Sequence, residues 1–219
     1  MKKLLLVFVL VLSLVSFEVA IAGDQTILAP GTYKDWERLI DYLEIIESFQ
    51  LSGSGDLIIM PLDTKNTPLP DKEDNTYQPT LKTLEQVNNI WVSRIKEKFE
   101  NKMNVFLAEN EQEIPKEPTK PNAMILRGRV SEMTPGSRAL RYFVGFGAGK
   151  SRVEIEGELV EQATSKILLK FKHARVSAMG LFGGDYEKFM VDDANNTCKD
   201  IAAMLETFLQ STNGKDPSK

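Results

Sequence analysis

The clearest chemical pattern lies in the stretch RYFVGFGAGKS, residues 141–151, which ends in Gly149-Lys150-Ser151. Such an ending is typical of a loop that cradles phosphates, in which an earlier glycine starts the turn and a helix follows. Val144 occupies the position of that earlier glycine, and the next residues alternate between apolar and acidic side chains, as in a strand. The dinucleotide pattern Gly-x-Gly-x-x-Gly also fails, because Lys150 stands where its third glycine belongs. The sequence therefore predicts no nucleotide site here.

Side chains that could build a catalytic or metal centre are scarce. The chain has one histidine, His173, and one cysteine, Cys198, too few for a zinc or cysteine-protease constellation. No Gly-x-Ser-x-Gly elbow presents a serine to the histidine. We therefore predict that the protein is not an enzyme and holds no cofactor or metal. We expect His173 to be a strand residue with a hydrogen-bonded ring and Cys198 to be a buried thiol, with pairing to another chain as its alternative.

A row of three glutamates, Glu154, Glu156 and Glu158, could suggest acid-base or metal chemistry. Their spacing places all three on one face of a strand. The flanking segments offer cations in the same alternation: Arg127, Arg129, Lys170 and Lys172. Opposite charges across antiparallel strands stabilise a sheet by roughly 0.2–1 kcal/mol per pair. We therefore predict a solvated, charge-matched sheet face rather than a catalytic row.

Two segments combine glycine with aromatic residues outside any regular period. We call residues 135–151 the first glycine-rich segment and residues 179–186 the second. Glycines could simply allow tight bends while the phenylalanines fill the edge of the core. Alternatively, the two segments form an adhesive surface for a partner, a membrane or another copy of the chain. The candidate binding residues are Arg138, Arg141, Phe143, Gly145, Phe146, Gly147, Gly149, Lys150 and Phe182.

The elements that must position these segments can be predicted from apolar periodicity. Spacings of three and four predict helices over residues 35–49, 80–102 and 186–211. Short apolar or alternating runs predict strands at DLIIMPL and NVFLA and over residues 123–133, 152–161 and 166–177. Proline-rich polar stretches over residues 63–79 and 109–122 predict loops.

These elements predict a two-layer α+β fold, with a mostly antiparallel sheet covered by amphipathic helices. We divide the chain into a signal peptide (residues 1–22), an N-terminal helix and linker (residues 23–55), a single α+β domain (residues 56–211) and a polar tail (residues 212–219). With 27 Lys+Arg against 31 Asp+Glu, the chain is mildly acidic. Since nucleic-acid binding favours a basic face, we predict no nucleic-acid partner.

The N-terminus has the features of a secretory signal peptide. Two lysines precede a continuous apolar run, and Ala20-Ile21-Ala22 provides a small-x-small cleavage site. The run is shorter than the ~20 residues that span a bilayer. We therefore predict cleavage between Ala22 and Gly23 and a periplasmic location. No cysteine lies near this site, so we expect a protein that is not a lipoprotein.

Three motifs resemble the bacterial envelope family called domain of unknown function 4410. They are GRV at residues 128–130, PGSRALRYFVGFGAGKSRVEIEGELV at residues 135–160 and GLFGGD at residues 180–185. The resemblance covers residues 56–210. It implies a small secreted protein of Gram-negative type, often anchored by lipid to the outer membrane, with no established activity. The chain departs from the family in lacking a lipobox cysteine and in carrying Thr164-Ser165 where a Thr-Gly turn is common.

The sequence as a whole favours a non-enzymatic periplasmic protein that interacts or assembles through its glycine-rich segments. Its partner would be another protein or a second copy in the cell envelope, with peripheral contact to the outer membrane. The alternative is a domain for a small ligand or anion. In that case Arg138, Arg141 and Lys150 would hold a phosphate or carboxylate together with glycine backbone N–H groups.

Overall fold

The computed structural model describes residues 28–118, 120, 122–136, 150–177 and 186–209. These residues form seven strands, two α-helices and a 3₁₀ turn at Glu111–Glu113. The strands are β1 (Gly31–Trp36), β2 (Ile40–Ile45), β3 (Asp56–Ile59), β4 (Asn104–Leu107), β5 (Met124–Thr134), β6 (Ser151–Glu161) and β7 (Ile167–Ser177). The helices are α1 (Tyr77–Phe99) and α2 (Tyr186–Thr207).

All seven strands belong to one sheet, in the order β1-β2-β7-β6-β5-β3-β4. The neighbouring strands β1, β2, β7, β6 and β5 are paired antiparallel in that order. Strand β3 runs parallel to both of its neighbours, β5 and β4. The two helices pack against each other and against one face of the sheet. The predicted two-layer α+β fold with a mostly antiparallel sheet is therefore confirmed.

The core lies between the helices and the sheet. Helix α1 contributes Trp91, Ile95 and Phe99, and α2 contributes Ile201 and Leu205, all fully buried. Their spacing of four residues places them on one side of each helix. Alternate residues of the long strands complete the core from the opposite side, as the period of two requires.

The predicted helix over residues 35–49 is wrong, because these residues form the end of β1 and all of β2. The chain reverses between the two strands, where Glu37 and Arg38 have φ of 50° and 59°. Side chains other than glycine rarely adopt this left-handed conformation, and no glycine marks the turn. Buried residues of the hairpin lie three and four positions apart, which is also the spacing of the buried face of a helix, and this coincidence led to the helix prediction. Strand β2 pairs with β7, so the hairpin belongs to the same sheet as the rest of the fold.

The other predicted elements appear within a few residues of their expected limits. The first long helix begins at Tyr77, so it includes Pro79, which the sequence had placed at the end of the preceding loop. Proline is tolerated there, since the first-turn N–H groups have no partner inside the helix. Ser165, in the turn between β6 and β7, has a φ of 58° although its side chain makes this conformation unfavourable.

Within the part of the chain that the structure describes, no helix is both long enough and apolar enough to cross a membrane. The predicted signal peptide with Ala22 and Gly23, and the tail over residues 212–219, lie outside the described residues.

Candidate functional site

Three strand ends lie side by side at one end of the sheet. Thr134, the last residue of β5, pairs with Arg152 near the start of β6, and Arg152 pairs with Val176 near the end of β7. The described chain stops just after β5 and resumes just before β6, and it stops again directly after β7. Both glycine-rich segments therefore start from this end of the sheet, which we call the anchoring end.

A buried carboxylate joins the strands at the anchoring end to helix α2. Ser151 and Ser177 face each other across β6 and β7. The Ser151 hydroxyl donates to Asp193 Oδ2 at 2.6 Å, and the Ser177 hydroxyl donates to Asp193 Oδ1. The backbone N–H of Ser177 also donates to Asp193 Oδ2, at 3.3 Å. One helix residue thus bonds to the last residue of the first glycine-rich segment and to a strand residue two positions before the second.

No described cation pairs with this carboxylate, although Asp193 is only 1% exposed. Burial raises the pKa of Asp193 above its ordinary value, because a charged carboxylate loses its hydration there. The hydrogen bonds from Ser151 and Ser177 oppose this shift, and the neighbouring Asp192 charge adds to it. The anchoring end therefore holds a carboxylate whose ionised form is disfavoured.

Most of the predicted binding residues lie outside the described residues: Arg138, Arg141, Phe143, Gly145, Phe146, Gly147, Gly149 and Phe182. Lys150 is described, and it lies exposed directly before β6. The expected strand after it is confirmed, since β6 begins at Ser151. The Ser151 side chain is fully buried and donates to Asp193, so its hydroxyl is already engaged. This arrangement differs from a phosphate loop, in which a helix follows and the serine binds Mg²⁺.

The single histidine lies in a second buried polar cluster, between β2, β7 and α2. His173 is 3% exposed, and its Nε2 lies 3.0 Å from Asp200 Oδ2, which also accepts from Arg175 Nε at 2.5 Å. His173 Nδ1 lies 3.2 Å from Asp41 Oδ2 but lacks the alignment of a hydrogen bond. That Asp41 oxygen accepts from the Ala174 N–H at 2.8 Å. The ring is therefore bonded on one side and faces a carboxylate on the other.

This second cluster joins the sheet to α2 by charge and hydrogen bonding. Burial alone would raise the pKa of Asp200, but the hydrogen bonds from His173 and Arg175 hold it below its ordinary value. Two residues earlier on α2, the Cys198 thiol is fully buried, and burial raises its pKa to about 12. The expectation of a buried thiol is confirmed, and such a thiol is a poor nucleophile.

The charge-matched sheet face is also confirmed. On the face away from the helices, Arg127 pairs with Glu158 at 2.7 Å and Arg129 pairs with Glu156 at 2.7 Å. Lys172 contacts both Glu154, at 2.7 Å, and Glu156, at 3.2 Å. We call this array the charge ladder.

Glu154 is the most buried member of the charge ladder, with a side chain 6% exposed. Burial would raise its pKa, but hydrogen bonds from Lys172, Arg152 and Ser131 hold the pKa of Glu154 below its ordinary value. Its role is therefore structural. Among the described residues, no three His, Cys, Asp or Glu side chains gather in a way that could hold a metal ion.

Sequence reasoning missed the two aspartates of α2 that organise these clusters. Asp193 and Asp200 both face the sheet from a helix whose buried residues include Ala194, Cys198 and Ile201. An aspartate within an apolar stripe was the available signal, because buried carboxylates require hydrogen-bond partners. The partners themselves could not be predicted, since Ser151 lies 42 positions before Asp193.

The family model described as domain of unknown function DUF4410 matches residues 63–180. The chain belongs to the DUF4410 family. This span includes the charge ladder and all three strand ends of the anchoring end, whereas the β1–β2 hairpin and α2, with Asp193, lie outside it. In a comparison by sequence with curated proteins, this DUF4410 chain has no match.

Two solved structures show a distant likeness to this DUF4410 protein. The PelC dodecamer from Paraburkholderia phytofirmans is 11% identical, with a TM-score of 0.42, over 72% of this chain and 96% of that chain. A Xanthomonas campestris protein assigned to DUF330 is 11% identical, with a TM-score of 0.40, over 72% of this chain and 87% of that chain. Likeness at this level carries no information about activity or partners.

Proposed function

We propose that this DUF4410 chain is a non-enzymatic envelope protein that interacts or assembles through its two glycine-rich segments. One observation carries the proposal: both segments start from the anchoring end, where Asp193 holds Ser151 and Ser177 together. Two apolar segments that start beside each other can present a single surface. Neither segment alone contains as many residues as one side of a typical protein-protein interface.

The composition of the segments supports an interaction role. Phe143 and Phe146 lie in the first glycine-rich segment and Phe182 in the second, each near glycines that offer no side chain to pack against. Aromatic residues are enriched at the centres of protein interfaces, and apolar surface that remains exposed usually marks a contact site. The partner that fits is a protein of the envelope or a second copy of this chain.

The compartment forms part of the same proposal. The apolar run and the small residues before Gly23 support export by a cleaved signal peptide, which gives a periplasmic protein without a lipid anchor. Contact with the outer membrane would then be peripheral and would involve the apolar segments.

The experiment compares two single variants of the mature chain. Phe146→Asp would place a charge in an apolar contact and should abolish self-association or recovery with membranes, while the melting temperature changes little. Gly147→Ala is the neighbouring control, which should cost stability of order 1 kcal/mol if positive φ is needed but should leave association intact. Sedimentation and thermal melts measure both effects. A Phe146→Asp protein that unfolds outright would assign the segment to the core and end the proposal.

A second candidate function is anion binding at the same segment. It is favoured by Lys150, which is exposed and has no ion pair with any described residue. Together with Arg138 and Arg141, it could hold a phosphate through charge-assisted hydrogen bonds. Calorimetric titration with inorganic phosphate tests this candidate. Saturable binding by the wild type that is lost in Lys150→Ala would favour it over the interaction role.

A further inference from the structure

The sheet face away from the helices carries an open groove of about 580 Å³. Its floor is the backbone around Gly128 and Gly157, and its walls include Tyr42 from β2 and Pro61 from the stretch after β3. The volume lies within the range of small-ligand sites in proteins, 300–1,000 Å³ by common estimate. The groove lies in the interior of the sheet face, separate from the anchoring end.

The charges that line the groove alternate in sign from strand to strand. In one row, Lys172, Glu156 and Arg129 are direct neighbours on β7, β6 and β5, and Asp63 lies beside Arg129. In the next row, Lys170, Glu158 and Arg127 follow in the same order. Neighbouring strands are about 4.8 Å apart, so donors and acceptors alternate at that spacing across the groove.

Several polar groups of the groove have unused hydrogen-bonding capacity. The Lys170 side chain is exposed and makes no ion pair or hydrogen bond with any described residue. Arg129 donates through Nε and one Nη to a single oxygen of Glu156, and its side chain is 55% exposed. Arg127 donates to one oxygen of Glu158 and, through Nη1, to Glu111 at 3.4 Å, and its side chain is 42% exposed. The groove therefore offers donors beside acceptors to a ligand.

This pattern defines the chemistry of the ligand. Cations and carboxylates nearly balance along the groove, so it lacks the concentrated positive charge that an anion would require. A ligand must instead present donors and acceptors together at short intervals, which hydroxyl groups do. Tyr42 and Pro61 add apolar surfaces suited to the C–H faces of a ring. A polypeptide fits less well, because its backbone groups pair with the edge of a sheet and not with its face.

We propose that the groove binds an uncharged oligosaccharide, which lies across β7, β6 and β5. Vicinal hydroxyls would bridge neighbouring donors and acceptors of the charge ladder, and Lys170 would supply a free donor. None of the residues that line the groove belongs to the glycine-rich segments.

The test is calorimetric titration of the mature chain with three uncharged hexasaccharides. Two are built of glucose, joined by β-1,4 or by β-1,3 linkages, and the third is built of β-1,4-linked N-acetylglucosamine. Hexagalacturonate, inorganic phosphate and an uncharged hexapeptide serve as comparison probes. At least one uncharged hexasaccharide should bind, with little change between low and high salt. Lys170→Ala and Tyr42→Ala should each weaken that binding by about fivefold or more, as expected for a lost hydrogen bond or ring contact.

Lys96→Ala is the matched control, because Lys96 is also an exposed lysine but lies on α1, on the other side of the sheet. Its binding should equal that of the wild type, as should that of Phe146→Asp, which separates this site from the proposed interaction surface. Four outcomes would each overturn the proposal: no hexasaccharide binds; only the anions bind, with steep salt dependence; the hexapeptide binds as well as the sugars; or the Lys170 and Tyr42 variants bind normally.

Discussion

The phenyl ring of Phe171 lies across Gly157 on the neighbouring strand. The two residues pair directly between β7 and β6. A Cβ built at Gly157 would lie 2.3 Å from Cζ of Phe171 and 2.7 Å from the carbonyl oxygen of Arg127. Phe171 is only 2% exposed and belongs to the core. The glycine therefore makes room for a core aromatic ring at the centre of the sheet.

Gly157→Ala should destabilise the protein by about 1–3 kcal/mol, the usual cost of overpacking a well-filled core. The ring could move, but the Arg127 backbone cannot do so without disturbing the β5–β6 pairing. Urea unfolding measures the loss. Glu158→Ala, one residue along on the solvent face, is the control and should cost less than about 1 kcal/mol. Equal stability of Gly157→Ala and wild type would show that the sheet accepts a side chain here.

Export should produce a mature protein that begins at Gly23. Expression of the full chain in a Gram-negative host, followed by osmotic shock and mass measurement of the released protein, tests this prediction. An Ala22→Arg variant is the control, because a large charged residue at the cleavage site should block processing. Recovery of the intact N-terminus in the membrane fraction, or of a lipid-modified protein, would contradict it.

The long elements were predictable from the sequence because each has its own periodic apolar face. The stripe that contains Trp91 and Ile95 repeats from Leu84 to Phe99 on α1, and the alternation of β6 repeats over most of its length. The alternation also predicted the charge ladder, since side chains two apart on a strand share a face. Local patterns of this kind determine both the element and its orientation.

The hairpin and the buried carboxylates were not predictable for two different reasons. Glu37 and Arg38 adopt left-handed backbone without glycine, so the turn that separates β1 from β2 has no local signal. Asp193 and Asp200 acquire their partners only when α2 docks on the sheet. In the first case no local signal marks the turn, and in the second the hydrogen-bond partners are set by tertiary contacts.

Ser165→Gly should stabilise the turn between β6 and β7. Ser165 has a φ of 58°, a conformation that costs about 1–2 kcal/mol for most residues with a side chain. Because glycine also loses more backbone entropy on folding, we expect a net gain of about 0.5–1 kcal/mol. Ala163→Gly, in the same turn without positive φ, is the control and should not stabilise the protein. Thermal unfolding of both variants decides whether the backbone conformation is the cause.

The buried carboxylate at the anchoring end should give stability a distinct dependence on pH. Because the pKa of Asp193 is raised in the folded state, the native protein holds this proton more tightly than the unfolded chain. The contribution of Asp193 to the free energy of unfolding therefore increases as pH falls through its folded pKa towards the ordinary value of 3.8.

Asp193→Asn removes this titration. As pH is lowered from about 7 to about 4, the free energy of unfolding of the wild type should rise relative to that of the variant. Urea unfolding at several pH values measures the difference. Asp192→Asn, at the exposed neighbouring position, should not reproduce it. A difference that is constant with pH, or that has the opposite sign, would argue against a raised pKa.

Asp200 should behave in the opposite way. Its pKa is lowered in the folded state, so its contribution to stability is present above the ordinary value of 3.8 and is lost as pH falls through the folded pKa. Asp200→Asn leaves Arg175 without its carboxylate partner and weakens the bond to His173, whose ring is buried. Lost hydrogen bonds to a charged group of this kind cost about 2–3 kcal/mol near neutral pH.

That cost should shrink in acid, because the wild-type carboxylate is then protonated as well. Glu97→Gln is the matched control: Glu97 pairs with Arg94 on the surface of α1, and its side chain is 65% exposed. Its loss should cost less than about 0.5 kcal/mol at any pH, since exposed pairs on one helix contribute little. If the two substitutions cost the same at neutral pH, the buried cluster does not hold α2 on the sheet. If the cost of Asp200→Asn grows in acid, another group carries the pH dependence.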